Sequence, residues 1–347
     1  MRLALSYPTL DFGTVHFLEP KVLEMRVKNT GQFPLAYQIR FAPGFPQLHQ
    51  RLLRIIPDAN SLMPDAEDVI QLQILLDKES LWELYQNTAR GPPDPKDLKM
   101  ICVLIFHLEN GGDIFPTIYA QFSPTCFGRP LDALIEGPIP PERRQSKDNV
   151  PTAKLISLDE DDSSFSVDSS AHIIPPQLRC LVHNLTQRGL SEYGLFREAG
   201  RHSEFYLIRD ELNNVRTGQE KLPGSVHSIA DTLCKFLDFL PEPIIPPRFT
   251  ERCIRSSRNL DDSIRIISEL PRLHREAFQF LIGFLRQVLS HSGHNFTDHH
   301  LICNVVFGSL LVRYPSNLDR ASRQKRQEKV AEFLEQFLVS DHPALFR

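Results

Sequence analysis

The chain changes its hydrophobic periodicity once, and this change limits the folds that it can adopt. Up to about residue 122, apolar residues alternate in short runs separated by turn residues, as in β-strands. From Pro175 onward, apolar residues recur every three or four positions, as on one face of an α-helix. Between these parts, residues 137–170 carry several prolines and an acidic, serine-rich run. We therefore predict a β domain, a flexible linker and an all-helical domain, in that order.

The first part is predicted to be an immunoglobulin-like β-sandwich, which has about seven short strands with turns between them. The clearest strand patterns span residues 22–28, 35–41, 69–76, 101–108 and 114–122. Residues 81–85 are predicted to form a short helix inserted between strands. In the second part, helical periodicity covers residues 178–185, 205–215, 229–240, 278–289, 301–312 and 330–339.

Composition and charge exclude several classes of protein. Of the 347 residues, 41% are hydrophobic and 24% are charged, which is typical of a soluble globular protein. The formal net charge of −4 argues against nucleic-acid binding through a general positive field. No apolar run approaches the roughly 18 residues that cross a bilayer, so no transmembrane segment is predicted. The six cysteines include no Cys-x-x-Cys pair, which indicates buried thiols in a reducing compartment rather than a metal site.

Residues 192–200 form the loop with the most distinctive pattern, Glu-Tyr-Gly-Leu-Phe-Arg-Glu-Ala-Gly. The two glycines allow the backbone to turn at either end. Leu195 and Phe196 can bury and fix the loop, which leaves Arg197 to project outward. An arginine held in this way suits the stabilisation of phosphate charge, because its planar fork of donors is always protonated. The alternative is an ordinary turn beside a helix, with a solvated arginine.

Several motifs resemble known domains. Gly194-Leu-Phe-Arg-Glu-Ala-Gly resembles the arginine-finger loop of Rho GTPase-activating (RhoGAP) domains. Leu240-Pro-Glu-Pro-Ile resembles their helix-ending motif, and Phe307-Gly-Ser-Leu-Leu resembles their late Phe-Gly-Pro segment. In the first part, Cys126-Phe-Gly followed by Pro130-Leu resembles the end of an ASH-type β-sandwich. The order of parts is similar to the C-terminal region of the OCRL and type II inositol polyphosphate 5-phosphatase family.

The resemblance implies an ASH-type immunoglobulin-like β-sandwich at residues 1–130 and a helical RhoGAP-like domain at residues 173–347. A flexible acidic linker, rich in proline and serine, would join them at residues 131–172. The family's phosphatase motif, Trp-x-Gly-Asp, has no counterpart, since the only tryptophan, Trp82, is followed by Glu-Leu-Tyr. The sequence is therefore not expected to act as a phosphatase by itself.

In active RhoGAP domains the arginine enters the GTPase site and neutralises charge on the transferring phosphoryl group, which contributes a factor of roughly 10³–10⁵ in rate. The resemblance makes Arg197 the candidate catalytic arginine finger, and it assigns GTPase binding to Gly194, Phe196 and Arg197.

Three positions that support the finger in active domains depart from the family pattern. Cys234 replaces a lysine, Asp238 replaces an arginine and Ile302 replaces an asparagine, while Asn304 is out of register by two. The lysine that the chain does have nearby, Lys235, is expected to point to a different helix face.

Two functions of different class follow from the resemblance. One is a small-GTPase-binding adaptor, of Rho and Rab type, that acts in endocytic membrane traffic and signal transduction without accelerating hydrolysis. The other is an active Rho GTPase-activating protein that uses Arg197. The expected Rho partners are of Rac and Cdc42 type. No metal or organic cofactor is expected, because Mg²⁺ and nucleotide would arrive with the GTPase. The expected location is cytoplasmic, with peripheral recruitment to endosomal or other endocytic membranes.

The predicted linker contains one short apolar island. Its sequence, Leu-Ile-Ser-Leu-Asp, resembles a clathrin box, which binds the clathrin terminal domain as an extended peptide. The residues assigned to this site are Leu155, Ile156, Leu158 and Asp159. The alternative is a strand that packs back on a neighbouring domain.

Two further partner predictions rest on single positions. Phe115 matches a strand aromatic that the family uses for Rab binding, although it could equally be a core or edge aromatic. The family also binds short Phe-and-His peptides through a tryptophan of the first helix. That position is Arg179 here, which argues against Phe-and-His peptide adaptors as partners.

Overall fold

The computed structural model describes residues 2–86, 98–109, 111–135, 173–314 and 318–340. Within them, strands occupy the chain up to residue 122 and helices occupy it from residue 176. The predicted order of a β domain followed by a helical domain is confirmed. The strands are β1 (Leu3–Leu5), β2 (Thr9–Val15), β3 (Lys21–Asn29), β4 (Leu35–Phe41), β5 (Leu53–Ile56), β6 (Ala59–Leu62), β7 (Glu67–Ile74), β8 (Lys99–Leu108) and β9 (Thr117–Phe122).

The strands form the two facing sheets of a sandwich. One sheet has the order β1-β3-β7-β5 and is antiparallel throughout. The other has the order β2-β9-β8-β4-β6, in which only β2 and β9 pair in parallel. Alternate residues of each strand point into the space between the sheets, as in Met25 and Val27 of β3 and Leu104 and Phe106 of β8. This alternation is the signal that predicted the central strands.

In the described residues, two short helices accompany the sandwich, a third follows it and lies against the helical domain, and the rest build that domain. The first three are α1 (Gln47–Leu52), α2 (Lys78–Gln86) and α3 (Leu131–Ile135). The helical domain contains α4 (Pro176–Arg188), α5 (His202–Leu212), α6 (Val226–Phe239), α7 (Pro247–Arg255), α8 (Leu260–Ser268), α9 (Arg272–Ser290), α10 (Ser292–Asn295), a π-helix (Leu301–Val306), α11 (Phe307–Leu311) and α12 (Arg320–Val339). None of the helices in the described part of the chain is long and apolar enough to cross a membrane.

Aromatic side chains join the sandwich to the helical domain. The Phe127 ring lies 5.4 Å from that of Phe17, on the sandwich side. It also lies 5.7 Å from Phe205 of α5 and 5.9 Å from Phe236 of α6. Phe17 reaches Phe239, at the end of α6, with ring centroids 4.9 Å apart. The cores of the two domains therefore form one continuous apolar cluster.

Polar contacts fix the orientation of this junction. The buried guanidinium of Arg209, in α5, donates to the carbonyl oxygen of Phe17 at 2.7 Å and to the carboxylate of Glu19 at 3.0 Å. Trp82 of α2 donates its indole N–H to the carbonyl oxygen of Phe239 at 2.8 Å. Because these donors are directional, they set the angle between the domains as well as their separation.

The start of the predicted linker, residues 131–172, is structured. Residues 131–135 form α3, in which Leu131 and Leu134 are buried. The helix lies against α4 and α9 of the helical domain. The rest of the predicted linker up to residue 172 lies outside the described residues.

Candidate functional site

The loop that presents Arg197 connects α4 to α5. Gly194 and Phe196 both have the left-handed backbone conformation, with φ of 69° and 64°. Leu195, between them, is fully buried. The ring of Phe196 packs edge-on against Phe307, with centroids 5.2 Å apart. Since both apolar residues point inward, the Arg197 side chain is left on the surface with 47% of its area exposed, as predicted.

The end of α10 and the residues directly after it hold the front of this loop. The backbone N–H of Gly194 donates to the carbonyl oxygen of Asn295 at 3.0 Å. The hydroxyl of Thr297 donates to the carbonyl oxygen of Leu195 at 3.1 Å. The buried amide of Asn295 donates to the carbonyl oxygen of Leu190 at 2.8 Å. These bonds order the loop before any partner arrives.

The N-terminal half of α6 holds the rear of the loop. The N–H of Gly200 donates to the carboxylate of Asp231 at 2.6 Å. A Cβ at Gly200 would lie 2.5 Å from the Cα of Ser228, so only glycine allows this close approach. Hydrogen bonds from the side chain and backbone of Ser225 and from the hydroxyl of Ser228 hold the pKa of Glu204 at about 2. The carboxylate of Glu204 thus ties α5 to the start of α6.

Asp298 is the partner of Arg197. The Arg197 Nη2 atom lies 3.1 Å from Asp298 Oδ2. The other carboxylate oxygen of Asp298 accepts a hydrogen bond from the N–H of Leu301 at 2.7 Å, at the start of the π-helix. Sequence analysis missed this pair. An aspartate before a helix predicts a cap, but no local pattern shows that it also meets an arginine 101 residues away.

The three positions that depart from the RhoGAP pattern give the finger no support. Burial raises the pKa of the Cys234 thiol to about 12. Asp238 forms an ion pair with Lys78 of α2 at 2.8 Å, so it belongs to the contact with the sandwich. Ile302 is fully buried. Lys235 lies over an aromatic ring of α5, 5.3 Å from its centroid, and so faces away from the loop.

Asn304, the asparagine that is out of register, faces a different part of the surface. It lines a groove between the π-helix and α12, together with His300 and Arg320. Gln327 of α12 donates to the carbonyl oxygen of Asn304 at 2.7 Å. The structure therefore brings Gly194, Phe196 and Arg197 together and leaves Asn304 outside that site.

Phe115 lies at the surface of the five-stranded sheet with 57% of its area exposed. It precedes β9, beyond the bridge that pairs Ile114 with Phe106. Ile101 and Tyr119, which pair across β8 and β9, are exposed apolar neighbours on these strands. Phe115 is therefore not a core residue. It is an exposed aromatic residue at the start of a strand.

The clathrin box and the question of a metal site concern other parts of the chain. The predicted clathrin box, Leu155, Ile156, Leu158 and Asp159, lies outside the described residues. Among the residues that the structure describes, no group of His, Cys, Asp and Glu side chains could hold a metal ion.

Comparison with known protein families matches each domain separately. Residues 175–316 match the RhoGAP domain. Residues 5–122 match the ASH domain described as inositol polyphosphate 5-phosphatase OCRL-like. The two matches cover the helical domain and the sandwich, which confirms the predicted fold class.

Known relatives share only parts of their length with this chain. The mouse type II inositol 1,4,5-trisphosphate 5-phosphatase is 29% identical over 334 residues, which are 95% of this chain and 32% of that protein. The probable Rho-type GTPase-activating protein 3 of Schizosaccharomyces pombe is 24% identical over 147 residues, covering 41% of this chain and 15% of that protein. This chain thus spans about a third or less of either relative's length.

Among solved structures, that of human Rho GTPase activating protein 15 aligns with a TM-score of 0.41 and 21% identity. The alignment covers 50% of this chain and 84% of that one. Together, the two domain matches and the mouse relative show homology to the OCRL-type inositol phosphatase family.

Proposed function

We propose that this chain, which joins an OCRL-like ASH domain to a RhoGAP domain, is an adaptor that binds small GTPases without strongly accelerating their hydrolysis of GTP. Rho-family GTPases of Rac and Cdc42 type bind the surface around Arg197. The observation that carries this proposal is the use of Asp238, which stands where active domains have an arginine. Its carboxylate is paired with Lys78 of the sandwich at 2.8 Å, so this position lacks the positive charge with which an arginine would hold a GTPase switch segment.

The magnitudes favour this reading. The ion pair between Arg197 and Asp298 is exposed, and exposed pairs contribute about 0.2–1 kcal/mol. Releasing the arginine would therefore slow catalysis about fivefold at most. The loss of the residues that support the finger is more costly, since a misplacement of the arginine by about 1 Å can lower the rate ~100-fold. Neither Cys234 nor Ile302 offers a charged group, and the weakly donating thiol of Cys234 does not replace the usual lysine or asparagine.

An active GTPase-activating protein is the second candidate function. One observation favours it: the loop is already ordered by Asn295 and Thr297, and Arg197 stands on the surface. An ordered arginine that needs little rearrangement is what catalysis in trans requires.

Single-turnover hydrolysis distinguishes the two candidates. With Rac- and Cdc42-type GTPases, we expect nucleotide-dependent binding but less than about tenfold acceleration, unchanged in Arg197→Ala. Asp298→Asn, which can still cap Leu301, frees Arg197 from its ion pair, and acceleration should change by less than about fivefold. Acceleration of about 10³-fold that Arg197→Ala removes would instead establish an active GTPase-activating protein. Absence of binding in the presence of a GTP analogue would refute both candidates.

The adaptor role includes two recruitment sites outside the RhoGAP surface. Phe115, which is exposed and precedes the strand that carries the exposed Tyr119, offers an apolar contact to Rab-type GTPases. The segment from Leu155 to Asp159 binds the clathrin terminal domain as an extended peptide. Both partners place the protein at endocytic membranes, recruited from the cytoplasm. The chain corresponds to the C-terminal region of the OCRL-type family. Phe-and-His peptides are not among its partners, because Arg179 stands in place of the tryptophan that contacts them.

The two recruitment sites can be tested against each other in one pull-down experiment. Phe115→Ala should abolish recovery of GTP-bound Rab-type GTPases and leave clathrin recovery unchanged, because it removes an exposed ring and no core contact. Replacing Leu155 and Leu158 by alanine should have the reverse effect. Each variant is the control for the other. Recovery of both partners at wild-type levels by both variants would contradict the two assignments.

A further inference from the structure

We propose that Tyr193 and Phe296 form an aromatic contact site for the bound Rho-type GTPase, directly beside Arg197. This inference rests on the proposed binding of such a GTPase. It adds the residues that supply binding energy and the chemistry that they recognise. The site recognises an apolar side chain on the GTPase, close to its phosphate-binding segments, since Arg197 points at the phosphates in this arrangement.

The two side chains are exposed and contact each other. Tyr193 has 64% of its area exposed, and Phe296 has 58%. Their ring centroids lie 5.3 Å apart with an interplanar angle of 63°, in an edge-to-face arrangement. Single exposed apolar residues are common on protein surfaces, but a matched aromatic pair presents a continuous apolar patch.

The backbone of Phe296 is strained. Its φ is 57°, in the left-handed region that bulky residues rarely adopt. Phe196 has a similar φ of 64°, but its ring packs against Phe284 and Phe307, and this burial offsets the strain. The N–H of Phe296 closes the end of α10 by donating to the carbonyl oxygen of Ser292 at 3.0 Å, but within the described chain its ring gains no buried packing, since the one ring it contacts is that of the exposed Tyr193. Glycine or asparagine would suit this position better for folding alone. The phenylalanine therefore indicates a contact outside this chain.

One hydrogen bond places the pair on the same rigid support as the finger. Gly194 N–H donates to the carbonyl oxygen of Asn295 at 3.0 Å. Tyr193 precedes the donor residue and Phe296 follows the acceptor residue, so the bond links the two segments that carry the rings. Arg197 follows three residues after the donor. A GTPase that receives the arginine thus meets the aromatic pair without any rearrangement of the loop.

The surroundings have the composition of a binding surface. Three acidic residues near the pair in the chain, Glu192, Glu198 and Asp298, have side chains between 50% and 60% exposed; Asp298 contacts Arg197, and the two glutamates lie within 4 Å of His227 on α6. A centre of aromatic residues and arginine inside a polar rim is typical of the residues that dominate affinity in protein complexes. The aromatic pair thus contributes apolar contact, and the charged rim contributes orientation.

The test compares Phe296→Asn and Tyr193→Ala with a matched control, Phe33→Asn. Phe33 is 65% exposed and lies on the sandwich, between β3 and β4. Dissociation constants are measured for Rac- and Cdc42-type GTPases loaded with a non-hydrolysable GTP analogue. Thermal unfolding is recorded for every variant. We expect about tenfold weaker binding for each variant of the pair and less than about twofold for the control.

The unfolding data separate a binding role from a structural one. Because asparagine adopts the left-handed conformation more easily, Phe296→Asn should unfold at the same or a higher temperature while it binds more weakly. Wild-type affinity in both variants of the pair would overturn the inference and leave the proposed function intact. A loss of affinity accompanied in both variants by an equal loss of thermal stability would also overturn the inference. Failure of the wild-type protein to bind either GTPase would refute the proposed function, and this inference with it.

Discussion

Replacing Arg209 by alanine is expected to lower the free energy of unfolding by about 3–5 kcal/mol, the largest stability effect that we predict. The guanidinium is buried and donates to Phe17, to Glu19 and to the neighbouring Asp210. Alanine would leave a cavity where the sandwich meets α5, and it would leave the carbonyl oxygen of Phe17 without this donor. Denaturant unfolding, followed by fluorescence of Trp82 at the same junction, measures the change.

Two control variants make the Arg209 experiment specific. Arg209→Met keeps most of the volume and removes the buried charge, so it should recover more than half of the lost stability. Arg258→Ala removes an exposed arginine that pairs with Glu332 at 2.8 Å, and its transition should stay close to that of the wild type. Equal losses in Arg209→Ala and Arg258→Ala would show that the buried contact does not hold the junction together.

Restoring the charged residues of active RhoGAP domains is expected to produce the largest change in activity. With Cys234→Lys and Asp238→Arg combined, single-turnover GTP hydrolysis by Rac- and Cdc42-type GTPases should accelerate by about 100-fold over the wild-type protein. The reason is that a lysine and an arginine on α6 would hold the GTPase against Arg197. The same protein with Arg197→Ala should show no gain.

The restored variant should also unfold at a lower temperature than the wild type. Asp238→Arg replaces the ion pair with Lys78 by two like charges, which repel each other. Asp238→Asn is the control, because it removes the pair without adding an arginine and should leave hydrolysis unchanged. If the restored variant accelerates hydrolysis as poorly as Asp238→Asn, position 238 is not what limits activity, and the adaptor proposal loses its main support.

Local sequence patterns predicted much of the fold and the centre of the candidate site. Alternating apolar residues predicted β4 at residues 35–41, where the structure has it. The order of glycine and apolar residues predicted that Arg197 projects from its loop, because Leu195 is buried and Phe196 packs partly buried against the core, which leaves the arginine on the surface. These features depend on residues that are close together in the chain, so a single sequence contains them.

Contacts between distant residues could not be predicted in the same way. Asp298 meets Arg197 only because the segment after α10 folds against the loop. Phe17 and Phe127 look like ordinary core residues in sequence, yet they form the junction between the domains. The left-handed backbone of Phe296 could not be predicted, because phenylalanine rarely adopts that conformation. The sequence therefore suggested two separate domains joined by a polar linker. In the structure, the two domains share one hydrophobic core.

The position of α6 has a consequence for how this protein can evolve. Its first turns hold the loop of Arg197 through Asp231, and its last turn rests on the sandwich through Asp238 and Phe239. Position 238 therefore has two roles that require different residues. An aspartate there pairs with the sandwich, whereas an arginine there would bind a GTPase. A protein with aspartate at this position loses a contact between its two domains if the residue mutates to arginine and catalysis is regained. The reverse substitution therefore passes through a less stable protein, so a change from arginine to aspartate at position 238 is easier to make than to reverse.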